Sequence, residues 1–159
     1  CLGLPSPMMS VGAFKIRPGR WGDGDRAVWK MEFSATWMKF SPDEAGMRVV
    51  LTNSRGESLF DANIERDSFV EKGDSWRFKA VPGGSVKGIV KASVEIRGAM
   101  PMVRVSLKLK GAELSEAGSS ERLWMSLLPG DSDSSVACLN SPALVCQRTR
   151  SKIRCAAEP

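Results

Sequence analysis

Residues Val28 to Phe40 read VWKMEFSATWMKF. Trp29, Met31, Phe33, Ala35 and Trp37 fall at every second position and Lys30, Glu32, Ser34 and Thr36 fill the gaps, so an extended chain has one apolar and one wet face here. The stretch reads as a long, half-buried β-strand. After Trp37 the phase slips by one, as an extra residue in a bulged strand would make it do. Residues 102–114, MVRVSLKLKGAEL, repeat the pattern: Val103, Val105, Leu107 and Leu109 alternate with Arg104, Ser106, Lys108 and Lys110, and the phase slips at Gly111 before Ala112 and Leu114.

Two such stretches suggest an internal duplication. Trp29 with Val103, Phe33 with Leu107 and Phe40 with Leu114 align about 74 residues apart, Val49 with Met125 and Leu51 with Leu127 about 76 apart, and Phe69 with Leu144 and Phe78 with Ile153 about 75 apart. The length changes fall in turns such as EAGSSE. The expected organisation is a spacer over 1–9, a first β-repeat over 10–80, a connector over 81–87 containing Val81, Pro82, Gly83 and Gly84, and a second β-repeat over 88–157. Turn signals recur at short intervals, with the hairpin sequence NSRG at Asn53 to Gly56, and only DEAGM offers a single helical turn. The fold class expected is all-β: an antiparallel β-sandwich, Ig- or jelly-roll-like, built from two repeated units and sharing one core.

Composition narrows the function classes. The 159 residues include no His and no Tyr, which removes the commonest general base and the commonest metal ligand together. There is no Gly-x-Ser-x-Gly elbow and no glycine-rich phosphate loop entering a helix. Asp43 with Glu44, or Asp61 with Glu65, read as turn carboxylates rather than a glycosidase pair. The expectation is a protein that is not an enzyme and uses no cofactor. No apolar run reaches the roughly 20 residues of a membrane helix. The net charge of +5, from 23 basic and 18 acidic residues, lies mostly on polar strand positions and reads as a solvated face. The basic run QRTRSKIR, with Arg148, Arg150, Lys152 and Arg154, lacks the interleaved aromatics of a single-strand binder, so no nucleic-acid partner is expected.

Four cysteines, Cys1, Cys138, Cys146 and Cys155, favour disulfides and secretion through an oxidising compartment. The preferred pairing is Cys138 with Cys146 and Cys1 with Cys155, although four cysteines allow three connectivities. Zinc is not expected, because no CxxC spacing occurs. Cys1, followed by a Pro-containing spacer, reads as a disulfide partner or a processing boundary, with a lipid anchor as the alternative. Trp21 lies between Arg20 and Gly22 in the loop PGRWGDGDR, where Asp23 and Asp25 have the alternate spacing of calcium-loop carboxylates but lack the remaining ligands. Trp21, Asp23 and Asp25 are the candidate contacts for a sugar.

The paired Lys-rich alternating strands, followed by a turn, another strand and late cysteines, resemble the repeated β-sandwich modules that accompany large secreted or surface proteins of bacteria. The resemblance spans about Phe14 to Cys155 and implies an adhesive, accessory or assembly role without catalytic residues. The function expected is that of a non-catalytic extracellular or cell-surface structural and interaction module, with a protein partner or a second copy as occupant. The alternative is a carbohydrate-binding module with Trp21 and the Gly/Asp loop at its site.

Overall fold

The structure, a computed structural model, describes residues 10–19, 24–34, 41–81, 83–97, 102–112, 114, 122–128, 139–149 and 151–158. In chain order the elements are β1 (Ser10–Arg17), β2 (Asp25–Ser34), α1 (Pro42–Ala45), β3 (Met47–Asn53), β4 (Ser58–Ile64), a 3-10 turn (Arg66–Ser68), β5 (Val70–Glu71) and β6 (Ser75–Lys79). They continue with β7 (Ile89–Arg97), β8 (Met102–Ala112), β9 (Arg122–Leu128), β10 (Leu139–Asn140), β11 (Leu144–Arg148) and β12 (Ile153–Ala157).

The protein is all-β and antiparallel, as expected. The twelve strands among the described residues join one hydrogen-bonded sheet in the order β4-β3-β9-β11-β12-β1-β2-β8-β7-β6-β5, with β10 also paired to β9. This sheet curls over its own apolar face. The clearest sign is the ring of Phe60 on β4, which meets Trp29 on β2 edge-on with centroids 5.2 Å apart although five strands separate them in the order. Phe14 on β1 stacks nearly parallel to Trp29, also at 5.2 Å. A curled sheet needs no second layer to dry its inner face, since the far strands supply the cover.

Alternation decides which side chains go inside. Trp29, Met31 and Phe33 of β2 pair directly with Leu107, Val105 and Val103 of β8, and all six are buried. The adjacent strands extend this layer through Phe14 and Ile16 on β1 and Ala92 and Val94 on β7. The phase slip expected at Gly111 is present: Asp25 opposes Ala112 and Arg26 opposes Lys110, leaving Gly111 as the extra residue at φ 73°. That conformation is cheap only for glycine, and it returns Ala112 and Leu114 to the core. The matching slip expected after Trp37 lies outside the described residues.

Other local expectations also hold. NSRG forms the β3–β4 hairpin, whose buried Asn53 accepts at Oδ1 from the backbone N–H groups of Arg55 (2.9 Å) and Glu57 (3.0 Å). DEAGM supplies the single turn α1, with Pro42 buried at its start. No helix among the described residues is long and apolar enough to cross a membrane.

One expectation is corrected. Cys146 is bonded to Cys155, so Cys138–Cys146 and Cys1–Cys155 cannot both form and neither does. Cys146 and Cys155 are direct cross-strand partners in the β11–β12 hairpin, with Cα atoms 4.0 Å apart, which aims both side chains the same way. Cys1 and Cys138 lie outside the described residues.

Candidate functional site

The long free edge of the sheet is β4. On β3, the whole run from Met47 to Thr52 is paired to β4, from Ile64 back to Ser58. On β9 the corresponding edge is divided: Ser126 and Leu127 pair with β10, while Arg122 and Leu123 pair with β11. This division lets β11 and β12 carry the sheet on to β1. Because β4 leaves no such place on β3, β5 pairs only with β6, and the sheet stays open between β4 and β5. β4 is seven residues long, and every second one turns its backbone N–H and C=O to a side with no strand partner among the described residues.

A cleft of about 530 Å³ lies beside the first half of β4, with Phe60 and Asp61 on one wall and Lys87, Gly88, Gly111 and Ala112 on the other. The opposite wall is held by a tight turn: Val86 and Ile89 bond each other's backbone at 3.2 and 2.8 Å across Lys87 (φ 44°) and Gly88 (φ 88°). Two successive positive φ values define the turn type whose twist matches a hairpin. Gly88 is also required for space, because a Cβ there would sit 2.8 Å from the Ala112 Cβ.

The polar group of the cleft is fixed. Arg48 on β3 donates to Asp61 twice, Nε to Oδ1 at 2.9 Å and Nη2 to Oδ2 at 2.6 Å, the planar fork matching the carboxylate. That hydrogen bonding holds the Asp61 carboxyl below its ordinary value against the opposing effect of burial, with help from the charges of Arg48 and Lys87. The same contact raises Arg48. Asp61 is thus an ionised, positioned acceptor at neutral pH, and its pKa is lowered, the opposite of the raised value that suits a general acid.

Of the sugar contacts singled out by sequence, only Asp25 lies within the described residues. Trp21 and Asp23 lie outside the described residues. Asp25 spends its two oxygens on backbone donors, Oδ1 on Gly19 N–H and Oδ2 on Leu114 N–H, both at 3.0 Å, so it ties two chain segments together. Of the other carboxylates, Asp43 accepts from Ser41 Oγ at 2.6 Å and Glu65 from Asn63 Nδ2 at 3.1 Å, each within its own turn or strand end. Among the described residues no three His, Cys, Asp or Glu side chains gather to hold a metal ion. Sequence reasoning missed the β4 edge: SLFDANI looks like any half-buried strand, and only the pairing order reveals that one side is empty.

Comparison with family models, with curated proteins and with solved structures finds no match for this chain.

Proposed function

We propose that the chain is a non-catalytic interaction module of the cell exterior, and that it associates with a second copy of itself by strand addition along β4. The observation that carries this reading is the uncovered seven-residue edge beside a cleft. Antiparallel pairing of β4 with β4 about a two-fold axis would saturate the one long free edge in a closed dimer, whereas pairing with the two-residue β5 could bury little. A cross-strand disulfide between Cys146 and Cys155 supports an oxidising location, extracellular or at the cell surface. The sugar-binding alternative gains nothing from Asp25, whose oxygens are already engaged.

We further infer that the curled sheet descends from two copies of one β-unit facing across a shared core, in the manner of a sandwich. Support comes from the registers. Phe14 pairs with Trp29 in the first half and Ala92 with Leu107 in the second, and both members shift by about 78 residues. Trp29 itself pairs with Leu107 and Val49 with Leu127, each again about 78 apart, which is where a two-fold axis relating the halves would pass.

The test is light scattering on the full chain across concentration, with Leu59→Pro for comparison. Leu59 is skipped in the register between β3 and β4, so a proline there interrupts the outer edge without removing an inner ladder position. A concentration-dependent dimer that is lost in Leu59→Pro, with the melting temperature nearly kept, supports the reading. A chain that stays monomeric at every concentration overturns it. Should Leu59→Pro fail to fold, Asn63→Lys places a blocking charge on the same strand and serves instead.

A further inference from the structure

The outer face of the sheet carries its positive charge in rows across the strands. One row runs through directly opposed residues on six neighbouring strands: Arg154 on β12, Lys15 on β1, Val28 on β2, Lys108 on β8, Lys91 on β7 and Lys79 on β6. All six are exposed, and five are cations. In a neighbouring row Arg17 opposes Arg26 and Arg26 opposes Lys110, again all exposed. None of these eight cations is ion-paired to a described residue. Nearer the other ends of the same strands the charges are paired, Glu32 with Arg104 and, at 2.6 Å, Glu95 with Arg97. Charge on this face is therefore segregated along the strands.

Like charges directly opposite on adjacent strands, about 4.8 Å apart, repel and destabilise a sheet. Lys108, Lys91 and Lys79 stand side by side in that way, with no carboxylate interposed in their row. A ligand carrying negative charges at intervals would relieve the repulsion.

We propose that this row binds a linear acidic polysaccharide lying across the strands, its carboxylate or sulfate groups meeting Arg154, Lys15, Lys108, Lys91 and Lys79. Three features select this class. The face is the convex side of a curled sheet, so a flat bilayer would touch a few strands only, whereas a flexible polymer follows the curve. Val28 is the only apolar side chain in the row and no aromatic ring lies in it, so bases of a single-stranded nucleic acid would find no stacking platform. Four of the five cations are lysines, compact point charges on flexible stems that can follow the spacing of a polymer's anionic groups without a fixed planar geometry. This surface is a face and not the β4 edge, so it stands or falls independently of the self-association reading.

The experiment titrates the full chain with heparin and with polygalacturonate as probes, alongside single-stranded DNA and vesicles of anionic phospholipid. Binding to at least one polysaccharide, tighter than to DNA or vesicles and falling steeply with salt, is expected. Lys91→Gln with Lys108→Gln should weaken it by at least about tenfold and reduce the salt slope by about two. Arg55→Gln with Lys72→Gln, which removes equal charge from two hairpin turns, should leave binding nearly unchanged. An equal loss in both pairs would reduce the effect to net charge and overturn the proposal. So would tighter binding to DNA or vesicles, or no binding to either polysaccharide at low salt. Retained melting temperatures show that the variants are folded.

Discussion

The hairpins β11–β12 and β5–β6 show how two similar pieces of chain end differently. In β11–β12 the pairing covers five residues a strand, a disulfide joins Cys146 to Cys155, and neighbours β9 and β1 flank the hairpin on both sides. In β5–β6 the pairing covers only Val70 with Arg77 and Glu71 with Trp76, and β5 has no further strand neighbour among the described residues. The difference tracks the strands alongside: β10 takes two residues of β9, whereas β4 takes Met47 to Thr52 of β3. One seam is closed because a strand is short, and the other is open because a strand is long. An open edge here follows from how neighbouring strands are shared, with no special residue needed.

The largest effect tests whether both regions hang on one core. Trp29→Ala should destabilise by about 3–5 kcal/mol, as for other buried large-to-small changes, and the chain should still melt in a single transition. Two resolved transitions in calorimetry would mean that the closed and open ends are separate folding units. Next, Cys146→Ser with Cys155→Ser removes the staple of the closed hairpin, for a loss of about 2–3 kcal/mol in the chain-entropy model, read from denaturant unfolding. Loss of less than about 0.5 kcal/mol would mean that pairing with β9 and β1 already fixes this hairpin without the bond. Gly88→Ala, on the cleft wall facing the open edge, should cost about 1–3 kcal/mol because φ 88° and the Ala112 contact both oppose a Cβ.

The smallest effect is electrostatic. Arg48 and Asp61 are partly exposed, so Asp61→Asn should cost about 0.2–1 kcal/mol near neutrality. The sign with pH follows from the lowered Asp61 pKa: the contribution is complete above the ordinary aspartate value of about 3.9 and disappears as pH falls through the lower folded value. Wild type and variant should therefore converge in stability below about pH 4. A gap that widens on acidification would contradict the pairing.

The sequence carried the strands and the inner face plainly, because alternation at Trp29, Met31 and Phe33 and at Val103, Val105 and Leu107 has only one physical reading. The bulge was legible at Gly111 for the same reason. What alternation cannot carry is register: shifting an alignment by an even number keeps every side chain on its face, so spacings of about 74, 76 and 78 look alike in the pattern alone. The disulfide was missed on similar grounds. Cys146 and Cys155 flank the turn of one hairpin symmetrically, with Thr149 N–H donating to Lys152 O across it at 2.8 Å, but spacing alone does not show that these two segments pair with each other. The open edge was not legible at all, since an edge is a property of neighbours. The charge rows were half legible: alternation put lysines outside, and only the register set them side by side.

The most direct test of the open edge is hydrogen exchange on the full chain, followed peptide by peptide from dilute solution into the concentration range where light scattering detects association. The account predicts that residues 58–64 gain protection on association while residues 144–157 stay equally protected throughout. Protection of residues 58–64 that does not change between monomer and associated protein would contradict it.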